Sequence, residues 1–255
     1  MADSAHLEAV VTFRTDAGPN LWIVRLHPEE CVSFQPGQYL TLGVPSGNRI
    51  LERPYSVASA PGGGELEFFV ELVHEGELTP RLYDVPVGGR VFLRRIPKGR
   101  LLFDAQSGRS NHFMVATVTG VAPFLSMIRD LAAEGESGRP YQIVLLHAAS
   151  TPSEFGYLDE LSGYDRKLSW FRYVPTISRM WCNPEWNGET GRVEDVLRKH
   201  LDRHGFIAAN TTAYLCGNPN MIFNAKAILQ RVCFPAESIW EERYWRPEAS
   251  PLSVG

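Results

Sequence analysis

The chain has 255 residues, of which 44% are hydrophobic and 21% charged, and its formal net charge is −4. This composition is typical of globular proteins and excludes fibrous and disordered chains, while the mildly acidic charge argues against nucleic-acid binding. Every apolar run is shorter than the roughly 18 residues of a membrane span, and residues 1–8 lack the pattern of a secretion signal. We therefore predict a cytoplasmic protein with no membrane or nucleic-acid partner.

Four cysteines stand far apart, at positions 31, 182, 216 and 233. Zinc and iron–sulfur sites need some ligands only about two to four residues apart. A disulfide framework is unexpected in a cytosolic chain of this length. We therefore expect reduced thiols, mostly buried at Cys31, Cys182 and Cys233, and no metal site.

The first part of the chain predicts an antiparallel β-barrel. Runs rich in valine and aromatic residues recur between turns such as Gly18-Pro19-Asn20, and about six strands at this spacing are typical of a small barrel. A helix at residues 78–85 interrupts them. The predicted strands are residues 8–15, 21–26, 39–44, 55–58, 66–72 and 90–95.

Beyond the polar stretch 104–111, buried strands and amphipathic helices alternate, which indicates an open parallel α/β sheet. The predicted strands are residues 112–119, 142–148, 172–175 and 213–216, and the predicted helices are residues 123–134, 157–161, 193–201 and 220–230. We expect two domains, at residues 1–103 and 104–255.

The barrel carries the tetrapeptide Arg53-Pro54-Tyr55-Ser56. The arginine offers a bidentate fork to a phosphate, the tyrosine a flat ring for stacking, and the serine a hydroxyl for a ring heteroatom. The proline holds the segment extended. The four residues suit a flavin, although the same tetrapeptide can simply end a strand.

Further along the barrel, the turn at residues 76–79 precedes the predicted helix. Its backbone amides, with the Thr79 hydroxyl, suit a pyrophosphate at a helix N-terminus. An ordinary helix cap is the alternative.

Ligands of open parallel sheets bind beyond the carboxyl ends of the strands, where four segments of this chain lie. The segment 117–124 has small residues, a glycine and a proline at the helix start, so its backbone can approach a phosphate-bearing ligand. The segment 148–151 is polar. Ser178, Arg179 and Arg192 suit a phosphate monoester, and Cys216-Gly217 leaves room for a flat ring. Each also has a purely structural reading, as a tight turn or a solvated loop.

In this order, the segments resemble the ferredoxin–NADP+ reductase family, particularly its bacterial branch, over nearly the whole chain. The matching motifs are the flavin motif at 53–56, the pyrophosphate turn and helix at 76–82, the nucleotide motif at 117–124, the nicotinamide-side motif at 216–219 and the aromatic tail Glu242-Arg243-Tyr244-Trp245.

The resemblance implies FAD in the barrel and NADP(H) in the sheet domain. The implied FAD residues are Arg53, Pro54, Tyr55, Ser56, Phe69, Glu77, Leu78, Thr79, Thr119, Tyr244 and Trp245. The implied NADP(H) residues are Ala149, Ser150, Ser178, Arg179, Arg192, Gly217, Asn218 and Pro219. The implied catalytic residues are Tyr55, Ser56, Cys216 and Tyr244. In these roles Tyr55 and Tyr244 cover opposite flavin faces, Ser56 approaches N5, and Trp245 stacks near the adenine.

The activity implied is reversible transfer of hydride from NADPH to FAD and of single electrons to ferredoxin or flavodoxin. Tyr244 must then shift to admit the nicotinamide. Three departures from the family pattern bear on this: Val118 replaces a glycine, Ser150 replaces an arginine frequent in the bacterial branch, and residues 246–255 extend past the aromatic tail. The first two weaken the expected preference for NADPH.

A basic cluster at the end of the barrel suits docking of an acidic carrier, with a solvated loop as the alternative. Its members are Arg94, Arg95, Lys98 and Arg100. Two other functions stay open: a reductase of free flavins or of an oxygenase, and a non-enzymatic flavin-binding subunit. The sequence does not determine the oligomeric state, for which a monomer is the working expectation.

Overall fold

The structure is a computed structural model that describes residues 6–135 and 141–244. Two six-stranded sheets follow one another along the chain, the first antiparallel and the second parallel. This is the two-part architecture that the sequence predicts. Trp245 and the extension 246–255 lie outside the described residues.

The first sheet curls into a barrel. Its strands are β1 (His6–Gly18), β2 (Leu21–Pro28), β3 (Tyr39–Ser46), β4 (Arg49–Ser56), β5 (Leu66–Glu71) and β6 (Arg90–Arg94). They lie in the order β4-β3-β6-β1-β2-β5, a Greek-key arrangement because β6 enters between β3 and β1. The end strands meet again where the Ala58 N–H, just beyond β4, donates to the Glu67 carbonyl oxygen of β5 at 2.8 Å.

Alternating side chains fill the barrel, with Trp22 and Phe68 among the largest that are fully buried. A single helical turn, α1 (Thr79–Tyr83), follows β5 and buries Leu82. The helix is shorter than predicted because Pro86 disfavours helical backbone at the residue before it.

The second sheet has the strand order β10-β9-β8-β7-β11-β12, with every neighbouring pair parallel. Its strands are β7 (Asn111–Thr117), β8 (Gln142–Ala149), β9 (Phe171–Ile177), β10 (Glu189–Thr190), β11 (Thr211–Gly217) and β12 (Ile239–Arg243). Its helices are α2 (Ala122–Ala133), α3 (Leu158–Lys167), α4 (Val193–Arg203) and α5 (Pro219–Arg231). Successive strand side chains point to opposite faces, so Met114 packs with α2 and α3 whereas Phe113 and Val115 pack with α4 and α5.

Barrel and sheet share one buried core. Leu21, Ile23 and Phe69 of the barrel belong to the same cluster as Phe124 and Tyr157 of the sheet domain. Because this apolar contact is continuous, the two domains present their facing residues to each other in one arrangement.

A buried ionic network reinforces the same contact. Arg129 of α2 donates to Glu67 Oε1 at 2.7 Å, to the Ala58 carbonyl oxygen at 2.9 Å, and to both carboxylate oxygens of Glu160 at 2.7 Å. The Tyr157 hydroxyl donates to Glu67 Oε1 at 2.9 Å. Helix α2 is therefore tied to the segment that directly follows the predicted flavin motif.

Some elements differ from prediction. Strand β4 begins at Arg49 instead of residue 55, and β10 and β12 were not predicted. Strand β10 has two residues, and β12 carries the polar run Glu241-Glu242-Arg243 on an edge of the sheet, so neither shows an apolar pattern. No helix in the two described ranges is long and apolar enough to cross a membrane.

The prediction for the cysteines was partly wrong. All four are free, but Cys31, Cys182 and Cys233 are exposed and only Cys216 is buried. The three exposed residues follow strands or a helix in connecting segments, which run over protein surfaces.

Candidate functional site

A cleft of about 700 Å³ opens at the carboxyl ends of the parallel strands. Strands β7, β8 and β11 are parallel neighbours, so their ends meet at one edge of the sheet. The cleft brings together nine residues that the sequence analysis assigns to the cofactors. They are Thr119, Ala149, Ser150, Ser178, Arg179, Arg192, Gly217, Asn218 and Tyr244.

Ser56 of the barrel and Glu242 of β12 meet across the domain contact. The Ser56 hydroxyl donates to Glu242 Oε1 at 3.0 Å, although the two residues are 186 positions apart. Burial raises the pKa of the Glu242 carboxyl to about 7, and the hydrogen bond from Ser56 offsets part of that rise. Glu242 can therefore hold or release a proton near neutral pH.

Tyr244 connects this pair to the sheet. Its hydroxyl donates to the Thr119 carbonyl oxygen at 2.6 Å, and its side chain contacts the thiol of Cys216, which is fully buried. Burial raises the pKa of both the Tyr244 hydroxyl and the Cys216 thiol well above their ordinary values, so both stay protonated at neutral pH. Three of the four predicted catalytic residues, Ser56, Cys216 and Tyr244, thus lie together beside Glu242.

The fourth, Tyr55, lies on β4 and packs half-buried against the barrel core. Pro54 precedes it on the same strand. Strand β4 is an end strand of the sheet, where the missing N–H of proline is tolerated. The proline therefore fixes the backbone ahead of the tyrosine without breaking the ladder.

Two glycines allow the turn after β7 to pack closely against the end of β11, beside the cleft. A Cβ on Gly120 would collide with the Cys216 carbonyl oxygen, and one on Gly217, at φ +122°, would collide with Thr117 Oγ1. Only glycine fits either position. Asn218 then caps α5 by accepting the Asn220 N–H at 2.8 Å, and Pro219 opens that helix.

Val118 adopts the backbone conformation that a glycine would take there. Its φ is +44°, in the left-handed region that a β-branched residue rarely occupies, at a strain of order 1–3 kcal/mol. Valine at this position therefore adds backbone strain.

The far end of the cleft carries two cations. Arg179 follows β9, and its N–H donates to the Ser150 carbonyl oxygen at 3.0 Å, while the Ser178 N–H donates to that of Ala149 at 3.0 Å. Arg192 begins α4, where its N–H donates to Asp195 Oδ2 at 3.0 Å. This end of the cleft suits a phosphate group, because two guanidinium groups line it.

The predicted pyrophosphate turn is present, but its hydroxyl is engaged elsewhere. Thr79 Oγ1 accepts the Val73 N–H at 3.0 Å and donates to the Val73 carbonyl oxygen at 3.1 Å, which closes the turn before α1. Leu78 is buried and anchors the turn, while Arg53 and Glu77 are exposed on the barrel. A role of Thr79 through its hydroxyl is therefore disfavoured, and the pyrophosphate assignment stays a prediction.

Phe69 lies in the core between the domains. Its ring meets Tyr157 edge-on with centroids 5.3 Å apart and fills the space beside Gly156. Its observed contacts are those of a packing residue, and a flavin contact stays a prediction. The predicted stacking of Trp245 falls outside the described residues.

Two of the four residues of the basic cluster form ion pairs. Arg94 donates to both carboxylate oxygens of Glu52 at 2.9 and 2.7 Å, and Arg95 donates to Glu30 at 2.5 Å. These carboxylates offset two of the four charges. The other two cations, Lys98 and Arg100, are exposed.

The Lys98–Arg100 loop lies beside the Ser56–Glu242 pair. A Cβ built on Gly99 would stand 3.3 Å from Glu242 Oε2. The exposed cations therefore flank the carboxyl group on the barrel side.

Sequence reasoning missed Glu242 and Trp181. The approach of Glu242 to Ser56 depends on the register that pairs Glu242 with Cys216, and no local pattern reveals that register. Trp181 lines the cleft beside Arg179 and is 77% exposed. An indole placed two residues after a predicted phosphate-binding arginine was an available signal.

Comparison with known proteins gives two domain matches. Residues 9–103 match the oxidoreductase FAD-binding domain, and residues 114–227 match the oxidoreductase NAD-binding domain. A ferredoxin–NADP reductase of Pseudomonas aeruginosa is 29% identical over 236 residues, which cover 87% of this chain and 84% of the relative. The reductase component of phenol 2-monooxygenase from a Pseudomonas species is 30% identical over 92% of this chain and 65% of the relative.

Among solved structures, a ferredoxin NADP+ reductase from Neisseria gonorrhoeae with bound FAD and NADP has the same fold. The TM-score is 0.84, with 23% sequence identity, over 95% of this chain and 100% of that chain.

Proposed function

Because this chain belongs to the ferredoxin reductase family of FAD- and NAD(P)-binding oxidoreductases, we propose that it is an NADPH-dependent reductase that serves a ferredoxin or flavodoxin. One observation carries the proposal. A single cleft is lined by Tyr244 at one end and by Arg179 and Arg192 at the other, and Ser56 contacts both Tyr244 and Glu242 beside it. The two guanidinium groups suit a dinucleotide phosphorylated on its adenosine ribose.

When bound, the nicotinamide supplies a hydride that the flavin accepts and passes on as single electrons. The chain supplies orientation and proton control. Gly120 and Gly217 let the turn after β7 pack closely against the end of β11, and the Tyr244 hydroxyl is bonded to Thr119 in that turn. We propose that Tyr244 moves away to admit the nicotinamide.

Ser56 and Glu242 provide a proton-holding pair beside the barrel. The hydroxyl donates to a carboxyl group whose pKa is near 7, so Glu242 exists in both protonation states at neutral pH. A proton can therefore be held at Glu242 and relayed through the Ser56 oxygen while charge changes nearby.

At the other end, Arg179 and Arg192 would bind the phosphate that distinguishes NADPH from NADH. Ser150 contributes its carbonyl to the loop but offers no cation. We therefore expect a preference for NADPH that is smaller than a site with three cations would give.

The carrier would dock at the barrel edge. Lys98 and Arg100 are exposed beside Glu242, so they favour an acidic protein at the place where electrons leave. Arg94 and Arg95 contribute less because carboxylates pair with them. Two further proposals accompany this one: the domain boundary at residues 103 and 104, and a cytoplasmic, monomeric protein.

A second candidate is the reductase component of an oxygenase, which the phenol 2-monooxygenase relative favours. The match covers 65% of that relative, so part of the relative lies outside the matched region.

Anaerobic stopped-flow reduction of the FAD-loaded protein by NADPH and by NADH tests the proposal. We expect faster reduction and tighter binding with NADPH. Equal rates and affinities would remove the assignment of Arg179 and Arg192, and no reduction by either nucleotide would leave only a flavin-binding role. Reduction of ferredoxin, flavodoxin and an oxygenase component, measured side by side, separates the two candidate functions. The variant Lys98→Glu/Arg100→Glu tests the docking surface, and Arg90→Glu, at the start of β6, is its control.

A further inference from the structure

A buried histidine lies directly behind the nucleotide turn. His147 is in β8 and has no exposed surface, and its Nε2 lies 2.8 Å from the carbonyl oxygen of Val118. Its Nδ1 lies 3.0 Å from the hydroxyl of Tyr173 on the neighbouring strand β9. Both ring nitrogens therefore have partners, and neither partner belongs to the proposed proton pair.

The chemistry of these partners sets the tautomer. A carbonyl oxygen only accepts, so Nε2 must carry the ring proton and donate it to Val118. Nδ1 is then the acceptor for the Tyr173 hydroxyl. Because burial lowers the pKa of His147 to about 4, the ring stays neutral and keeps this pattern at physiological pH.

The bond falls on the most strained residue of the cleft. Val118 holds φ +44°, and the next residue, Thr119, lines the cleft and accepts the Tyr244 hydroxyl bond. A valine released from this geometry would relax toward a negative φ and turn its peptide groups away from the cleft. His147 is the buried donor that opposes this relaxation.

We infer that His147 is a positioning residue that locks the Val118 carbonyl and thereby shapes the turn for the dinucleotide before it binds. The inference rests on the proposed nucleotide site. It explains how a valine can stand where glycine would be unstrained, because the chain Tyr173–His147–Val118 supplies an anchor that glycine would not need.

Binding of NADP+ to the FAD-loaded protein, measured by calorimetry, tests the role. His147→Leu removes the donor, and we expect the Kd for NADP+ to rise about tenfold or more. His147→Gln places an amide N–H near the position of Nε2 and should restore the Kd to within about threefold of the unaltered protein.

His112→Leu is the matched control. His112 is also buried in the sheet and bonded to a tyrosine hydroxyl, that of Tyr214 at 2.9 Å, but it lies at the opposite end of β7 from the cleft. We expect it to lower the unfolding midpoint as His147→Leu does, yet to leave the Kd for NADP+ unchanged. Equal effects of the two variants on the Kd would overturn the inference.

A double-variant comparison isolates the strain. In a Val118→Gly background, His147→Leu should change the Kd by less than about threefold, because glycine holds a positive φ without help. An undiminished effect there would contradict the role. Should His147→Leu not fold, His147→Phe keeps a ring in the same space but has no donor, and an unchanged Kd in that variant would also refute the role.

Failure of the inference and failure of the proposed function give different results. Absence of NADP+ binding by the unaltered protein would refute both. Normal binding that is insensitive to His147→Leu and His147→Phe would refute the inference alone.

Discussion

Removal of Arg129 tests whether the ionic network holds the two domains together. The change Arg129→Met keeps an unbranched side chain of similar length and deletes the guanidinium. Four hydrogen bonds disappear: two to Glu160, one to Glu67 and one to the Ala58 carbonyl. The Glu67 carboxylate then keeps Arg25 and Tyr157 as partners.

The magnitude follows from burial. The Arg129 and Glu67 side chains are only 16% and 5% exposed, and loss of one partner of a buried pair typically destabilises by about 3–5 kcal/mol. Burial alone would raise the pKa of Glu67, but Arg129 and Arg25 outweigh it and the pKa lies below its ordinary value. The carboxylate therefore stays ionised and depends on these partners.

Urea unfolding followed by tryptophan fluorescence measures the loss. The control is Arg90→Met, the same substitution at the Arg90–Glu8 pair, where the side chains are 70% and 43% exposed and we expect at most about 1 kcal/mol. The double variant Arg129→Met/Glu67→Gln should lose less than the sum of the single variants, since the two residues contact each other. If Arg129→Met destabilises no more than Arg90→Met, the network contributes nothing specific to the domain contact and the reasoning fails.

Three further predictions concern the site and its environment. The pH profile of flavin reduction should show a pKa near 7 that is lost in Glu242→Gln; a profile identical to that of the unaltered protein would refute proton control by Glu242. Tyr244→Ser should tighten nicotinamide binding and change the hydride-transfer rate in stopped-flow assays, and no change in either would exclude gating by Tyr244. Burial lowers the pKa of His112 to about 4, so protonation of the unfolded chain below pH 6.5 destabilises the native state as the pH falls toward 4. Between pH 7 and pH 5, the unfolding free energy of the unaltered protein should therefore fall by about 2 kcal/mol more than that of His112→Gln. An equal fall in both proteins would contradict the assignment.

The fold, the family and the two cofactors could be predicted from the sequence, and all three are confirmed. Strands that alternate with helices leave a clear pattern, and segments such as Thr117–Gly120 and Cys216–Asn218 combine small residues with strand ends. The parallel pairing of β7 with β11 then places these segments side by side.

What could not be predicted depends on contacts between distant residues. Glu242 approaches Ser56 only through the register of an edge strand with no apolar pattern. The basic cluster looks uniform along the chain, but Glu52 pairs with Arg94 from 42 positions away. Val118 reads as a simple departure from a glycine motif, and its strained backbone becomes visible only in three dimensions.

The Ser56–Glu242 hydrogen bond also has a consequence for recombination between related reductases. Each cofactor-binding motif lies within one domain, so a chimera that joins the barrel of one relative to the sheet of another would keep every motif intact. The proposed proton-holding pair, however, is contributed half by each domain, across a single 3.0 Å contact. Such a hybrid inherits a complete pair only if its interface reproduces that alignment, so domain exchange is constrained here as well as at the Arg129–Glu67 contact.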